Sequence, residues 1–178
     1  MDDIWDLSLL YLDSEKYRML WKYKTDGWVN SVSITPDGRY IVAKDSWRYL
    51  YLFNREGELL WKYKTDGNVK SVSITPDGEY IVAGDGKYIV AGSKGWLTDG
   101  NIYLFNREGK LLGKYKTDSS INSISITPDE RYIVAGSKDR YVYLFNKEGE
   151  LLWKYKTDGE VESVSITPDG EYIVAGSG

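Results

Sequence analysis

The chain has 178 residues, enough for one domain with a substantial core, and it contains no cysteine and no histidine. These absences exclude disulfide bonds, thiolate or imidazole catalysis, and zinc sites of the Cys/His kind. The formal net charge of −4 offers no basic surface for nucleic acid or membrane partners, and no apolar stretch approaches the roughly 20 residues of a membrane-spanning helix.

The composition favours β-strands. Aromatic residues make up 15% of the chain, and 16 Tyr and 7 Trp supply most of them. Together with short runs of Val and Ile, these residue types are typical of sheets rather than helices. The first ten residues, MDDIWDLSLL, are acidic where a secretory signal peptide is basic, so we expect a cytoplasmic protein.

A unit of about 40 residues occurs nearly four times in the sequence. A repeat of this length predicts a repeat architecture, in which each unit forms one structural module. The copies are so similar that they indicate recent duplication or deliberate design. We assign residues 1–178 to one domain, with an N-terminal segment at 1–20 and units at 21–60, 61–112, 113–152 and 153–178.

The first unit predicts four strands. Residues 29–35 alternate apolar and polar side chains with a period of two, which indicates a strand, and Pro36-Asp37-Gly38 then predicts a turn. The short apolar run at 40–43 predicts a strand that is buried on both faces. The rest of the unit predicts a loop at 44–48, a strand at 49–53, a hairpin turn at 54–57 and a strand at 59–65.

Along the fourth strand, aromatic rings alternate with lysines, as in Trp61-Lys62-Tyr63-Lys64. The rings can pack on one face while the lysines stay in water. Lysines on an edge strand block association between sheets, and the negative net charge favours this interpretation over a cationic rim that binds anions.

Four short antiparallel strands in each unit match a β-propeller blade. The stretches SVSITPDGEYIVAGS and SKDRYVYLFN resemble the WD-repeat β-propeller family, and the resemblance covers nearly the whole chain. Asp99 and Asp139 stand where that family often keeps an Asp before the third strand, while Asn54, Asn106 and Asn146 replace its namesake Asp. The family's Gly-His pair is missing, so the chain is also similar to quinoprotein-like propellers. The resemblance implies a fold, not a function.

The N-terminal segment aligns with the end of a unit. With Trp21 aligned on Trp61, residues 9–12 match 49–52. We therefore expect the outer two strands of a blade at 1–20 and the inner two strands in the last unit. The predicted fold is an all-β propeller with four four-stranded antiparallel blade equivalents per chain, the last blade being completed by the N-terminal strands.

Two ways of closing the ring follow from this count. One chain can form a four-bladed ring, or two chains can exchange their ends and form an eight-bladed ring, since propellers have about four to eight blades. Symmetric self-association is common, so we favour a homo-oligomer, specifically a dimer. A fragment of a longer array is the third possibility.

The second unit carries an insertion around 84–100. Its sequence YIVAG at 80–84 recurs at 88–92 as a tandem copy. Either copy can serve as the second strand, which leaves the register open. The remainder predicts a long loop or an extended hairpin.

Four tryptophans fall outside the repeated pattern, and they lie in or near the loops. Trp28 lies between blades, while Trp47 and Trp96 lie between the second and third strands, and these two loop classes share one face of a propeller. Trp5 falls near the equivalent place in the split blade. Because Trp is enriched in binding hot spots, we predict a binding face there. The alternative is that each ring covers the hydrophobic end of a blade.

Polar residues vary at the mouth of the same loops. Asn30, Lys70, Asn122 and Glu162 occupy one position of the repeat, and Asn68 lies close to it in sequence. Variable polar residues on a repeated scaffold suit a recognition surface, and they suit neutral drift equally well.

The sequence contains no catalytic motif, so we expect no catalytic residue, no metal and no cofactor. The repeated Asp residues are placed to cap turns, and no EF-hand loop, P-loop or dinucleotide fingerprint occurs. We expect a non-catalytic scaffold that binds a protein, peptide or other ligand through one loop face. A purely structural or designed self-assembling repeat module is the alternative, and a carbohydrate-active enzyme acting through carboxylates comes third.

Overall fold

The computed structural model describes the backbone of residues 6–13, 16–90 and 96–178, and the side chains of 6–10, 18–84 and 100–178. The described residues form sixteen strands: β1 (Asp6–Asp13), β2 (Lys16–Lys24), β3 (Val29–Ile34), β4 (Tyr40–Asp45), β5 (Tyr49–Asn54), β6 (Leu59–Lys64), β7 (Asn68–Ile74), β8 (Tyr80–Val90), β9 (Trp96–Asn106), β10 (Leu111–Thr117), β11 (Ile121–Ile126), β12 (Tyr132–Ser137), β13 (Tyr141–Asn146), β14 (Leu151–Lys156), β15 (Val161–Ile166) and β16 (Ile173–Ser177). Within these ranges no helix is long and apolar enough to cross a membrane.

The strands form five antiparallel sheets. Three complete sheets hold four strands each, in the orders β3–β4–β5–β6, β7–β8–β9–β10 and β11–β12–β13–β14. The N-terminal pair is β1–β2 and the C-terminal pair is β15–β16. The all-β class and the four-stranded antiparallel sheets agree with propeller blades, as predicted. Because each sequence unit opens with the last strand of a sheet, the sheets are offset from the units by one strand.

The turn between the first two strands of each sheet is built from the Thr-Pro-Asp motif. After β3, Asp37 Oδ1 accepts hydrogen bonds from Thr35 Oγ1 at 2.7 Å and from the Arg39 backbone at 3.0 Å. Gly38 completes this turn with a φ of 69°. The third sheet has Glu130 at the equivalent position with a φ of 64°, so this copy of the turn is strained.

The second and third strands are buried because sheets pack on both of their faces. In the first complete sheet, Val42 and Leu52 face the second complete sheet. Ala43 and Phe53 point the opposite way and pack on the N-terminal pair. The same alternation produces a hydrophobic core at each of four sheet boundaries.

The insertion extends one hairpin. Strands β8 and β9 each span 11 residues. The first YIVAG copy takes the second-strand position, since Ile81 pairs with Ile74 of β7. The second copy pairs with the start of β9, where Tyr88 lies opposite Thr98. The open register is therefore resolved in favour of the first copy.

One predicted loop begins too early. Lys44 and Asp45 belong to β4, where Asp45 pairs with Val29 of β3. The chain turns only after Asp45 because its Oδ1 accepts the backbone N–H groups of Trp47 and Tyr49, both at 2.9 Å. The loop prediction for 44–48 was wrong at these two residues.

The predicted alignment of the N-terminal strands is also wrong, by three positions. Trp21 pairs with Leu9, as Trp61 pairs with Leu52, so Leu9 is the structural equivalent of Leu52. The shift arises because the β1–β2 hairpin stays paired as far as Asp13, which makes it longer than the hairpins of the complete sheets.

The two terminal pairs remain separate sheets. The N-terminal pair packs on the first complete sheet through Leu7, and the C-terminal pair packs on the third through Val161 and Val164. Among the described strands, none of one pair is hydrogen-bonded to a strand of the other. Completion of the last blade by the N-terminal strands stays a prediction.

Candidate binding face

Trp28 and Trp47 lie in adjacent loops at one end of the first complete sheet. They are 60% and 62% exposed. Their loops are tied together because the Ser46 N–H donates to the Trp28 carbonyl at 2.8 Å, and the Trp28 N–H donates to Ser46 Oγ at 3.1 Å. A Cβ added to Gly27 would lie 2.8 Å from Trp47 Cδ1, so only glycine leaves room for this ring. We call this surface the Trp28–Trp47 face.

A buried tyrosine supports the face from below. The Tyr51 hydroxyl lies 2.7 Å from Asp26 Oδ2 and 2.7 Å from Asp45 Oδ2, and it accepts the Asp26 backbone N–H at 3.2 Å. Asp45 Oδ2 also accepts the Gly27 N–H at 3.1 Å. This network fixes the backbone just before Trp28 and at the start of the Trp47 loop, so both tryptophans are attached to an ordered base.

The charges of this network are set by burial and hydrogen bonding. Burial, followed by the Asp26 carboxylate, raises the pKa of Tyr51 above its usual range. Hydrogen bonds from Lys62 and then Tyr51 lower the pKa of Asp26. At neutral pH the phenol therefore keeps its proton and Asp26 keeps its negative charge.

In the other complete sheets the equivalent tyrosine also contacts an aspartate, but in the third sheet that aspartate stands at the position of Trp47. Tyr103 Oη accepts the Asp66 backbone N–H at 3.2 Å, and Tyr143 donates to Asp139 Oδ2 at 2.6 Å. The tyrosine–aspartate contact is thus part of the repeated scaffold. The exposed tryptophans are the local departure.

The other two surplus tryptophans cannot be assigned to the face. Trp5 lies outside the described residues. Trp96 opens β9 at the end of the extended hairpin, but its side chain is also outside the described part.

The predicted polar positions lie on the first strands of the sheets. Lys70 Nζ donates to Asn122 Oδ1 at 2.7 Å. Asn122 Nδ2 donates to the Val161 carbonyl at 3.1 Å and approaches Glu162 Oε2 at 3.4 Å. Lys70, Asn122 and Glu162 therefore form a polar chain across three neighbouring sheets. Asn30 on β3 and Asn68 at the start of β7 are exposed.

Lys44 is a buried charge that the sequence analysis placed in a loop. It is only 2% exposed and stands where the other sheets have Gly84, Gly136 and Gly176. Burial lowers the pKa of Lys44 to about 8, with Asp45 opposing this shift and Lys70 adding to it. The signal available in the sequence was a lysine at a glycine position of the repeat.

The remaining carboxylates act locally. Among the described side chains, no group of three acidic residues could hold a metal ion. Lysines of the fourth strands pair with loop carboxylates, as in Lys62–Asp26 and Lys114–Asp66. These contacts favour edge protection over an anion-binding rim.

The comparisons with known proteins agree with this architecture. A family model described as outer membrane protein assembly factor BamB matches residues 8–125. The chain belongs to the BamB family. A model described as a family of unknown function matches residues 81–177, also more than half of the chain, so the chain belongs to that family too. No curated protein matches it. Membership of the BamB family confirms the propeller-like repeat fold and the similarity to quinoprotein-like propellers.

Proposed function

We propose that this chain is a non-catalytic propeller scaffold that binds a protein or peptide through the Trp28–Trp47 face. The observation that carries the proposal is the exposure of two tryptophans, 60% and 62%, in adjacent loops that are tied together by hydrogen bonds. Leaving two large rings in water is unfavourable, and a partner that covers them gains apolar burial.

The family description favours a protein partner. It names an outer membrane protein assembly factor, and we take this name as support for a protein partner of this chain. A peptide with an apolar anchor residue matches the two exposed tryptophans.

The test replaces both tryptophans of the face with the residues that another sheet of the same chain carries at these positions, so the fold should tolerate the change. Ser120 and Asp139 occupy the positions of Trp28 and Trp47 in the third sheet. The double variant W28S/W47D therefore takes both replacement residues from equivalent positions of the same chain. Peptides selected from a displayed random library on the wild-type protein should bind the variant at least about 30-fold more weakly, the loss expected for a hot-spot tryptophan.

The melting temperature and the far-ultraviolet circular dichroism of the variant serve as controls for folding. Equal binding of the selected peptides to both proteins, with folding intact, would remove the Trp28–Trp47 face as the binding site. An oligosaccharide array screened in parallel distinguishes a sugar ligand from a peptide.

A structural, self-assembling module is the second candidate. It is favoured by apolar residues that are exposed at the two terminal pairs but buried at their equivalent positions in the complete sheets.

A further inference from the structure

The two terminal pairs are complementary halves of one sheet. In the N-terminal pair, Leu9 lies opposite Trp21, as Leu52 of the third strand lies opposite Trp61 of the fourth. In the C-terminal pair, Val174 lies opposite Ser165, the register that Val42 and Ser33 show between second and first strands. One pair therefore lacks the first and second strands, and the other lacks the third and fourth.

A first repeated contact joins the second strand of one sheet to the first strand of the next. Val42 is fully buried against Val72 and Ile74. The same contact is made by Val82 with Ile124 and Ile126, and by Val134 with Val164 and Ile166.

The two halves of this contact are left open at opposite ends of the chain. Val174, equivalent to Val42, is 68% exposed. Val32 and Ile34, equivalent to Val72 and Ile74, are 55% and 50% exposed. A fourth copy of the contact would join Val174 to Val32 and Ile34.

A second repeated contact packs fourth-strand rings on a third-strand phenylalanine of the next sheet. Trp21 lies on Phe53 and Trp61 on Phe105, with ring centroids 5.6 Å apart in each case. Trp153, at the equivalent position in the fourth strand of the third complete sheet, is exposed together with Tyr155. At the other end of the chain Leu10, which occupies the phenylalanine position in β1, is exposed as well.

A third repeated contact lays a second-strand tyrosine on the glycine of the next turn. Tyr40 lies against Gly78, and a Cβ on Gly170 would come within 2.6 Å of Tyr132. Gly38 has no described atom within 4 Å of its Cβ position, and Tyr172 is 70% exposed. The missing fourth contact is Tyr172 on Gly38.

The unfilled contacts leave hollows on both terminal surfaces. A hollow of about 140 Å³ at the N-terminal pair is lined by Leu9, Leu10, Ile34 and Gly38 among others. Hollows of about 330 and 310 Å³ at the C-terminal pair are lined by residues that include Tyr172, Val174, Trp153 and Tyr155. Each surface thus lacks the side chains that the other presents.

We propose that the C-terminal pair of one copy completes the N-terminal pair of a second copy, and the reverse, so that two chains close one ring of eight blades. Strand β16 then pairs antiparallel with β1 of the other copy in the register of β4–β5. Since Ala43 pairs with Tyr51 and Val42 with Leu52, Ala175 lies opposite Ser8 and Val174 opposite Leu9 of the other copy.

The number of blades restricts the assembly to two copies. Each chain supplies three complete sheets and two halves, which is four blade equivalents. Two copies give eight, the upper end of the range of about four to eight seen in propellers, whereas three copies would give twelve. A head-to-tail contact that closes after two copies also leaves no exposed strand edge at β1 or β16.

Engineered disulfides test the proposed register, and the absence of native cysteine makes them unambiguous. The pairs S8C/A175C and L9C/V174C are adjacent, so one of them falls at a non-hydrogen-bonded position with Cβ atoms close enough for a disulfide. Under mild oxidation we expect covalent dimers for at least one pair. The control S8C/V174C places its thiols on opposite faces and should stay unlinked.

Each other result of the cross-linking contradicts the proposal. A disulfide within one chain indicates a four-bladed ring, and cross-linking only in the control indicates a different register. Absence of any disulfide in both pairs also overturns the register.

The mass of the particle in solution is the second measurement. We expect about twice the 20.4 kDa of one chain. V174D should lower the mass to that of one chain without changing the circular dichroism, because Val174 is already exposed in the single chain. L60D, at an exposed leucine of a complete sheet, should leave the dimer intact. A wild-type mass of one chain, or of three or more, would contradict the two-chain ring.

Discussion

At the scale of single residues, the positions that depart from the repeat show most clearly what each contact contributes. Lys44 puts a long cationic side chain where the other sheets have glycine. Asp45 does not neutralise it by direct pairing, since its oxygens accept hydrogen bonds from Tyr51 and from three backbone N–H groups. Lys44 is therefore a cost to stability in its charged form.

The variant K44M should stabilise the protein at pH 7 by roughly 1–3 kcal/mol, because it removes a buried charge and keeps the packing volume. The folded pKa is about 8, and the unfolded value is about 10.4. Between these values the unfolded chain binds more protons, so wild-type stability rises with pH and the advantage of K44M shrinks. Urea unfolding of both proteins from pH 7 to pH 10 measures this difference. A difference in unfolding free energy between the two proteins that does not change with pH would contradict the lowered pKa of Lys44.

Tyr115 compensates for a missing tryptophan. At two boundaries a Trp covers the turn glycine of the next sheet, Trp21 over Gly57 and Trp61 over Gly109. The third copy has Gly113 at this position, and the Tyr115 ring fills the space and covers Gly149.

We therefore expect Y115A to destabilise the protein by about 3 kcal/mol, as for a large aromatic truncation. The matched variant Y63A should cost at least about 1 kcal/mol less, since Trp61 still covers Phe105. Urea unfolding of the two variants gives the comparison. Equal losses would show that Gly113 does not weaken its boundary.

At the scale of elements, the repeat predicted strands well because each one carries its own pattern and turn residues. The alternation at 29–35 and the apolar run at 40–43 both became strands. Pairing partners were harder to predict. The three-residue shift of β1 depends on how far the β1–β2 hairpin stays paired, which no local pattern records.

In the candidate site, too, local features could be predicted from sequence, whereas contacts between separate segments could not. Sequence placed Trp28 and Trp47 in loops of one face, and their proximity depends on hydrogen bonds between those loops. The network of Tyr51 with Asp26 and Asp45 joins three separate segments of the chain, with Asp26 lying 25 residues from Tyr51, so periodicity could not reveal it.

The extended hairpin is an addition to a complete sheet. Its first part, at 80–84, already supplies the second strand, and Ile102–Phe105 supply the buried part of the third. Deleting residues 85–96 and joining Gly84 to Leu97 restores the common repeat length.

This deletion should change the free energy of unfolding by less than about 1 kcal/mol, because shortening a hairpin end changes closure entropy only slightly. Chemical denaturation measures the change. Deleting the same number of residues from 133–144 removes core strands and should prevent folding. A large loss in the first variant would mean that the extension supports the core.

At the scale of the whole molecule, every sheet boundary repeats the same packing, and the terminal pairs present the unfilled halves of it. If two copies fill them, folding and association are linked. The melting temperature should then rise with protein concentration, by about 2 °C for each tenfold increase. V174D should melt at a temperature independent of concentration. Calorimetry at several concentrations provides the measurement, and a constant wild-type melting temperature would argue against linked association.

The near-identity of the strands also bears on how the chain reaches its native state. Strands β4, β8, β12 and β16 all contain Ile-Val-Ala, so a first strand can meet several almost equivalent partners while the chain is still open. Such exchanges trap repeat proteins in misassembled forms. The extended end of β8–β9, beyond Gly84, is not repeated in the other described hairpins between second and third strands, and it closes through contacts local in sequence, which form quickly. This extension distinguishes the second complete sheet from the others and so limits wrong pairing. Deleting residues 85–96 should therefore slow refolding even where it leaves the free energy of unfolding unchanged.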